Sequence, residues 1–195
     1  MSRNEIAADM PDLNIREIEK NDLELVINYF LQADHTSLEA MGADPEKLPP
    51  FDEWHNSLIE DLLRSLTKRQ FYYLIWEIDG SPIGHSNIAK IVFGDHAYMH
   101  LHLWKPDKRN SGNGTYFVKE CISIYFEKFD LQYLLCEPYA PNPAPNKTLP
   151  KLGFEFVKQY DTTPGLISPY QSVNQWILRK ETWLEIISTK PDDPV

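Results

Sequence analysis

Apolar and polar positions along the chain switch between two periods, and the switches mark out its elements. Residues 13–18 alternate and predict a strand. Asn21 or Asp22 then caps a helix running to about residue 32, with Leu23, Val26, Ile27 and Phe30 as its buried stripe. Residues 34–50 read as a connection, because Gly42, Pro45, Pro49 and Pro50 interrupt regular structure. Helical spacing returns over 51–67 through Trp54, Leu58, Leu62, Leu63 and Leu66. Three strands follow at 71–78, 82–93 and 97–104, turned by Asp79-Gly80 and Gly94-Asp95. Phe71, Tyr72, Tyr73 and Trp76 load this meander with core aromatics.

From 115 to 129 the period is helical again, through Phe117, Cys121, Ile124, Tyr125 and Lys128. Residues 131–136 form a short apolar run of the kind buried inside a sheet. Pro138, Pro141, Pro143 and Pro145 make the next segment irregular. A short helix over 146–152 stops at Gly153, a natural C-cap. Strands at 154–160 and 175–180 flank a loop at 161–174, and Trp183, Leu184, Ile186 and Ile187 close the chain as a packed helical turn. An antiparallel meander followed by strand, helix and strand gives an α+β (mixed α/β) domain. Residues 1–12 are a polar, flexible N-terminal segment, and 13–195 read as a single domain.

The chemistry concentrates where the third strand of the meander meets the following helix. Met99, Leu101 and Leu103 share one face of that strand, and His100, His102 and Trp104 the other. Pro106 ends it, and Arg109-Asn110-Ser111-Gly112-Asn113-Gly114-Thr115 leads into the helix. Glycines there let the backbone approach a ligand, and the free N–H groups of the helix N-terminus suit a phosphate or pyrophosphate. Neither the three-glycine dinucleotide fingerprint nor the P-loop is present, and a bare G-x-G also fits an ordinary turn. On the neighbouring strand His85 and Asn87 share a parity that lines the same cleft.

Composition narrows the classes. A formal net charge of -10 without a Lys/Arg run disfavours nucleic acid. The two cysteines, Cys121 and Cys136, both lie in apolar runs and read as small hydrophobes rather than a disulfide. No apolar run spans a membrane and no signal-peptide pattern opens the chain, so a cytoplasmic location is expected.

A second group of residues follows the buried strand. Glu137 stands before Pro138, and Asn142-x-x-Pro145-Asn146-x-x-Leu149-x-Lys151-Leu152-Gly153-Phe154 runs on from it. A carboxylate at the end of a central strand can face a cleft. In this order, separated by a helix and a strand, the two groups resemble the GNAT superfamily of acetyl-CoA-dependent N-acetyltransferases over residues 13–180. The region 100–154 looks closest to the aminoglycoside 6′-N-acetyltransferases and the siderophore-pathway N6-hydroxylysine acetyltransferases.

The resemblance implies a mostly antiparallel sheet with a V-shaped opening between the strands ending at Trp104 and Cys136. The pantetheine of acetyl-CoA would bond backbone near Leu103 to Lys105, and N–H groups from Arg109 to Thr115 would hold its pyrophosphate. Asn142 matches the family asparagine that contacts CoA. His100 and Glu137 stand where family members place a polar residue and an acid beside the acceptor. The family tyrosine that can reprotonate the CoA thiolate is replaced here by Leu149.

The reaction so implied transfers acetyl to a primary amine or hydroxylamine of a small molecule. An alkyl ammonium with a pKa of about 10.4 must lose a proton, and His, with a reference near 6.5, can accept one. His100 is the expected base, Glu137 would orient its imidazole or bind the ammonium, and N–H groups near Leu103 and Trp104 would face the oxyanion. His102 and His85 are candidate acceptor contacts, His102 with a structural hydrogen bond as its other role. No metal is expected. The alternatives are a non-catalytic CoA-binding module of the same fold and a metal-dependent enzyme using His100 and His102. The partner is then a small amine, without nucleic acid or membrane, and the chain a monomer or homodimer.

Overall fold

A computed structural model describes residues 11–105 and 113–189. The expected N-terminal segment lies outside the described residues up to residue 10, and so do Arg109, Asn110, Ser111 and Gly112. The strands are β1 (Leu13–Glu17), β2 (Phe71–Ile78), β3 (Ser81–Val92), β4 (His96–Leu103), β5 (Tyr133–Cys136), β6 (Glu155–Thr162) and β7 (Gln171–Arg179). The helices are α1 (Leu23–Leu31), α2 (His35–Met41), α3 (Phe51–Leu62), α4 (Asn113–Lys128), α5 (Pro143–Thr148) and α6 (Lys180–Thr189). The strands form one sheet in the order β1-β2-β3-β4-β5-β7-β6, antiparallel except for the β4–β5 pair that α4 connects. Among the described residues no helix is long and apolar enough to cross a membrane.

The meander follows its predicted turns. Asp79 and Gly80 both hold positive φ, 50° and 70°, as a two-residue hairpin between right-twisted strands requires. The α4 stripe, Phe117, Cys121, Ile122 and Tyr125, packs on one sheet face. There Trp76 stacks on Phe117 at 5.5 Å and its indole N–H donates to Cys121 Sγ at 3.2 Å. Both cysteines are buried and unpaired, as their surroundings predicted. The opposite face carries α1 and α3, through Val26, Ile27 and Leu58 against Tyr73 and Ile75.

Two expectations for the loops change. Residues 34–50 hold a full helix, α2, capped by Asp34 accepting from the Ser37 N–H at 2.9 Å and stopped by Gly42 in the left-handed conformation. Gly42 is a helix stop, not a break. Residues 171–174, expected in a loop, begin β7 because they pair with Asp161, Tyr160 and their neighbours on β6.

One ion network ties β1 to the sheet. The Arg16 guanidinium bridges both Asp22 oxygens, at 2.5 and 2.8 Å, and donates to Glu77 at 2.8 Å. Burial would raise the Asp22 carboxyl, but Arg16 outweighs it and holds the pKa below the ordinary value. Arg16→Ala leaves two largely buried carboxylates without their cation and is expected to cost roughly 2 kcal/mol, read as a lower Tm. The Asp22 share of that difference is fully present above about pH 4, the unfolded carboxylate value, and fades as pH falls through the lowered folded pKa.

Candidate active site

β4 and β5 pair over only three positions, His96 with Tyr133, Ala97 with Leu134 and Tyr98 with Leu135. β5 stops at Cys136, whereas β4 runs on to Leu103 and stays paired with β3, His100 opposite Asn87 and His102 opposite His85. The sheet therefore parts beyond Tyr98. The Trp104 N–H donates to the Ile83 carbonyl at 2.9 Å, and the Ser86 hydroxyl donates to the His100 carbonyl at 3.0 Å. Both contacts put even-numbered main-chain groups of β4 on the β3 side. Main-chain groups of successive strand residues point to opposite sides, so those of Leu101 and Leu103 point into the parting.

The parting opens into a cleft of about 2210 Å³ whose walls include Leu103, Gly114, Glu137, Asn142 and Leu149. Asn113, Gly114 and Thr115 form the first turn of α4, whose leading N–H groups have no partner within the helix. A Cβ built on Gly114 meets nothing within 4 Å among the described residues, so their packing gives no reason for glycine there. Asn142 caps α5, its side chain accepting from the Ala144 N–H at 3.1 Å. Asn146 fastens this segment: its amide donates to the Asn142 carbonyl at 2.7 Å and accepts from the Trp176 indole at 3.0 Å.

A layer of histidines floors the side of the cleft that faces α1. The His85 and His102 rings stack at 4.8 Å, and Tyr29 and Phe30 meet His102 edge-on at 5.5 and 5.1 Å. The Trp104 indole N–H donates to His85 Nδ1 at 2.8 Å. Indole is only a donor, so the His85 proton sits on Nε2 and the ring is neutral. Burial drives His85 well below its ordinary value, with the neighbouring histidines adding to it. Burial likewise takes His102 to about 3 and, with help from the Lys90 charge, His100 to about 4. His100 thus presents a neutral imidazole at the parting. Among the described residues no three His, Cys, Asp or Glu side chains are grouped to hold a metal.

Two sequence expectations are corrected. The Trp104 N–H is spent on Ile83 and is not offered to an oxyanion. Glu137 does not orient His100: its Oε1 accepts from the Tyr160 hydroxyl and from Gln175 Nε2, the latter at 3.0 Å. The bond to Glu137, after burial, raises the Tyr160 phenol. Tyr29, Tyr160 and Gln175 were not singled out in the sequence, because nothing in their local spacing links them to residues so distant in the chain. The loop after β6 lines the cleft and is tied to the end of α2: Asp44 N–H donates to the Ile167 carbonyl at 2.7 Å and Gln171 Nε2 to the Gly42 carbonyl at 3.0 Å.

Residues 12–155 match the family model described as acetyltransferase (GNAT) domain. No curated protein matches the chain at a comparable level. Among solved structures, spermidine N-acetyltransferase from Vibrio cholerae in complex with CoA and spermine is similar, with a TM-score of 0.72 and 15% identity over 88% of this chain and 98% of that one. A ribosomal alpha-N-protein acetyltransferase in complex with coenzyme A gives a TM-score of 0.69 and 14% identity over 87% and 95%. At such identities the likeness is one of fold. Neither structure lends support to the narrower resemblance to aminoglycoside or hydroxylysine acetyltransferases.

The depressed histidines set a pH dependence. Each is neutral in the folded chain but takes a proton near pH 6.5 when unfolded, so its contribution is whole above that value. It is lost as pH falls toward the folded values of about 4 for His100 and 3 for His102. Thermal melts are expected to show Tm dropping progressively from pH 6.5 to 4, with a shallower slope in His102→Phe.

Proposed function

The chain belongs to the acetyltransferase (GNAT) domain family, and on that premise we propose that it moves acetyl from acetyl-CoA to a primary amine or hydroxylamine of a small molecule. The observation that carries the proposal is the parting of β4 from β5, with the Leu101 and Leu103 main chain facing into it and the start of α4 on the same cleft. Acetyl-CoA is a co-substrate that fits this arrangement: an extended amide-bearing arm for the strand edge and phosphates for the helix start.

The amine nitrogen attacks the thioester carbonyl, a C–N bond forms and the C–S bond breaks. The proton shed by nitrogen passes to the neutral His100 imidazole and from there to the departing thiolate or to water. Leu149, 1% exposed on the cleft wall, has no proton to give. Glu137, pinned by Tyr160 and Gln175 on one oxygen, keeps its other oxygen for the acceptor's ammonium or N–H. Much of the acceleration comes from holding both substrates together.

Calorimetry and initial rates test this. Wild type is expected to bind acetyl-CoA at micromolar Kd, about -8 kcal/mol. Gly114→Ala, whose Cβ meets no described protein atom within 4 Å, is expected to keep the fold and weaken that binding ~10-fold through the lost close approach. His100→Gln is expected to lower kcat about 100-fold with the Kd for acetyl-CoA held. Absence of acetyl-CoA binding by folded wild type overturns the proposal. Binding with no transfer to any amine supports a CoA-holding module instead.

A further inference from the structure

The described lining of the cleft is not acidic, although the chain carries a net charge of -10. Among its described lining residues the carboxylates are Glu53 and Glu137, against the cations Lys68, Arg69 and Lys90. Arg69 is committed to the fold: its Nη2 donates to the Leu62 carbonyl at 3.1 Å. Lys90 is differently placed. It sits on a bulge where the β3–β4 register breaks between Ala89 and Val92, with φ at 49° in the left-handed region that lysine seldom adopts. A bulge re-aims a side chain. Here it carries the exposed Lys90 ammonium over the Tyr98 ring, 4.6 Å from its centre. Among the described residues Lys90 makes no ion pair with a carboxylate.

Tyr98 is the last β4 residue paired with β5, on the same strand face as His100. The Glu137 charge reaches it from the β5 side, adding to the effect of burial on its phenol. A cation and a carboxylate thus flank the point where the sheet parts and where the reacting carbonyl would lie. A polycation entering this site meets Lys90 as a like charge. An acceptor with both an amine and an anion meets complementary groups at each end.

We propose that Lys90 binds a carboxylate on the acceptor, so that the substrate is an amino-acid-like zwitterion and not a polyamine. A single ammonium suits one negative charge; a phosphoryl dianion calls for a fork of donors that Lys90 alone lacks. The proposal rests on the acetyl-transfer reaction above and names its acceptor class.

Matched amines with and without a carboxylate test it: lysine against cadaverine, ornithine against putrescine, phenylalanine against phenethylamine, with spermidine beside them. Initial rates give the ratio of kcat/KM within each pair for wild type, Lys90→Ala and Lys90→Glu, with thermal melts checking the fold. Wild type is expected to favour the carboxylated member about 10-fold or more, Lys90→Ala to lose the preference, and Lys90→Glu to invert it toward cadaverine and spermidine. Lys90→Gly relieves the left-handed backbone and carries the test if the other variants unfold. Wild type preferring the decarboxylated members or spermidine, or Lys90→Ala keeping the carboxylate preference, overturns the role of Lys90 alone. Acetyl-CoA binding with transfer to none of these amines overturns the amino-acid-like acceptor class, whereas absence of acetyl-CoA binding overturns the acetyl-transfer assignment with it.

Discussion

The parallel ladder between β4 and β5 ends at Tyr98 and Leu135, and the rest of the site depends on that early end. A strand that loses one neighbour keeps main-chain donors and acceptors that still need partners, at about 1–3 kcal/mol for each one buried and unmet. β4 can run on alone because β3 holds it from the other side. Ser86 and Ile83 take up the even-numbered main-chain groups, and Gly84 lets the strands close, since a Cβ there would stand 2.6 Å from the His102 carbonyl. The Trp104 indole, bonded to His85, ties down the strand end beside the loop. One-sided support leaves the other side of β4 with extended backbone ready for an extended ligand.

The two sides of the cleft are built by different physics. On the cofactor side the protein offers main chain: Leu101 and Leu103 along the strand, then the first turn of α4. On the acceptor side it offers side chains, and burial sets their charge. His85, 1% exposed and bonded to indole, stays neutral and serves as a platform for His102, which in turn meets Tyr29 and Phe30. Away from this floor charged groups return, among them Lys90 on its bulge and Glu137 beyond the parting. An acceptor bound as proposed would pass from an uncharged aromatic floor to a rim where ionic contacts remain in reach of water.

This division explains how much of the molecule was legible in its sequence. The cofactor side is local: strand, loop and helix follow one another from residue 97 to 128, so alternation, glycine and period appear in one stretch. The same holds for the meander, whose Asp79-Gly80 turn adopts the backbone its residues require. The acceptor side is assembled from α1, the loop before α3, β3, the end of β5 and the β6–β7 loop. Tyr160 and Gln175 reach Glu137 across 23 and 38 residues of sequence, and no spacing rule connects them. The α2 helix was hidden because Gly42 and the later prolines look alike as breakers, yet Gly42 ends a helix that Asp34 begins. The Lys90 bulge leaves no mark in the strand's alternation, since it depends on how β3 pairs with β4.

Proton affinities order the steps of the proposed reaction. Burial, with help from Lys90, holds His100 below its ordinary value, so it is a far weaker base than an alkyl amine and stripping a resting ammonium is uphill. His100 therefore does not prepare the nucleophile. The amine must arrive already neutral, or lose its proton to a stronger base such as water-borne hydroxide, before attack. After the C–N bond forms, the nitrogen bears an electron-withdrawing carbon and becomes far more acidic, so a weak base suffices. In this scheme a weak base also favours handing its proton on to the more basic thiolate, a route that does not call for a tyrosine where Leu149 stands. The low basicity of His100 thus follows first from burial and then from the exposed Lys90 cation.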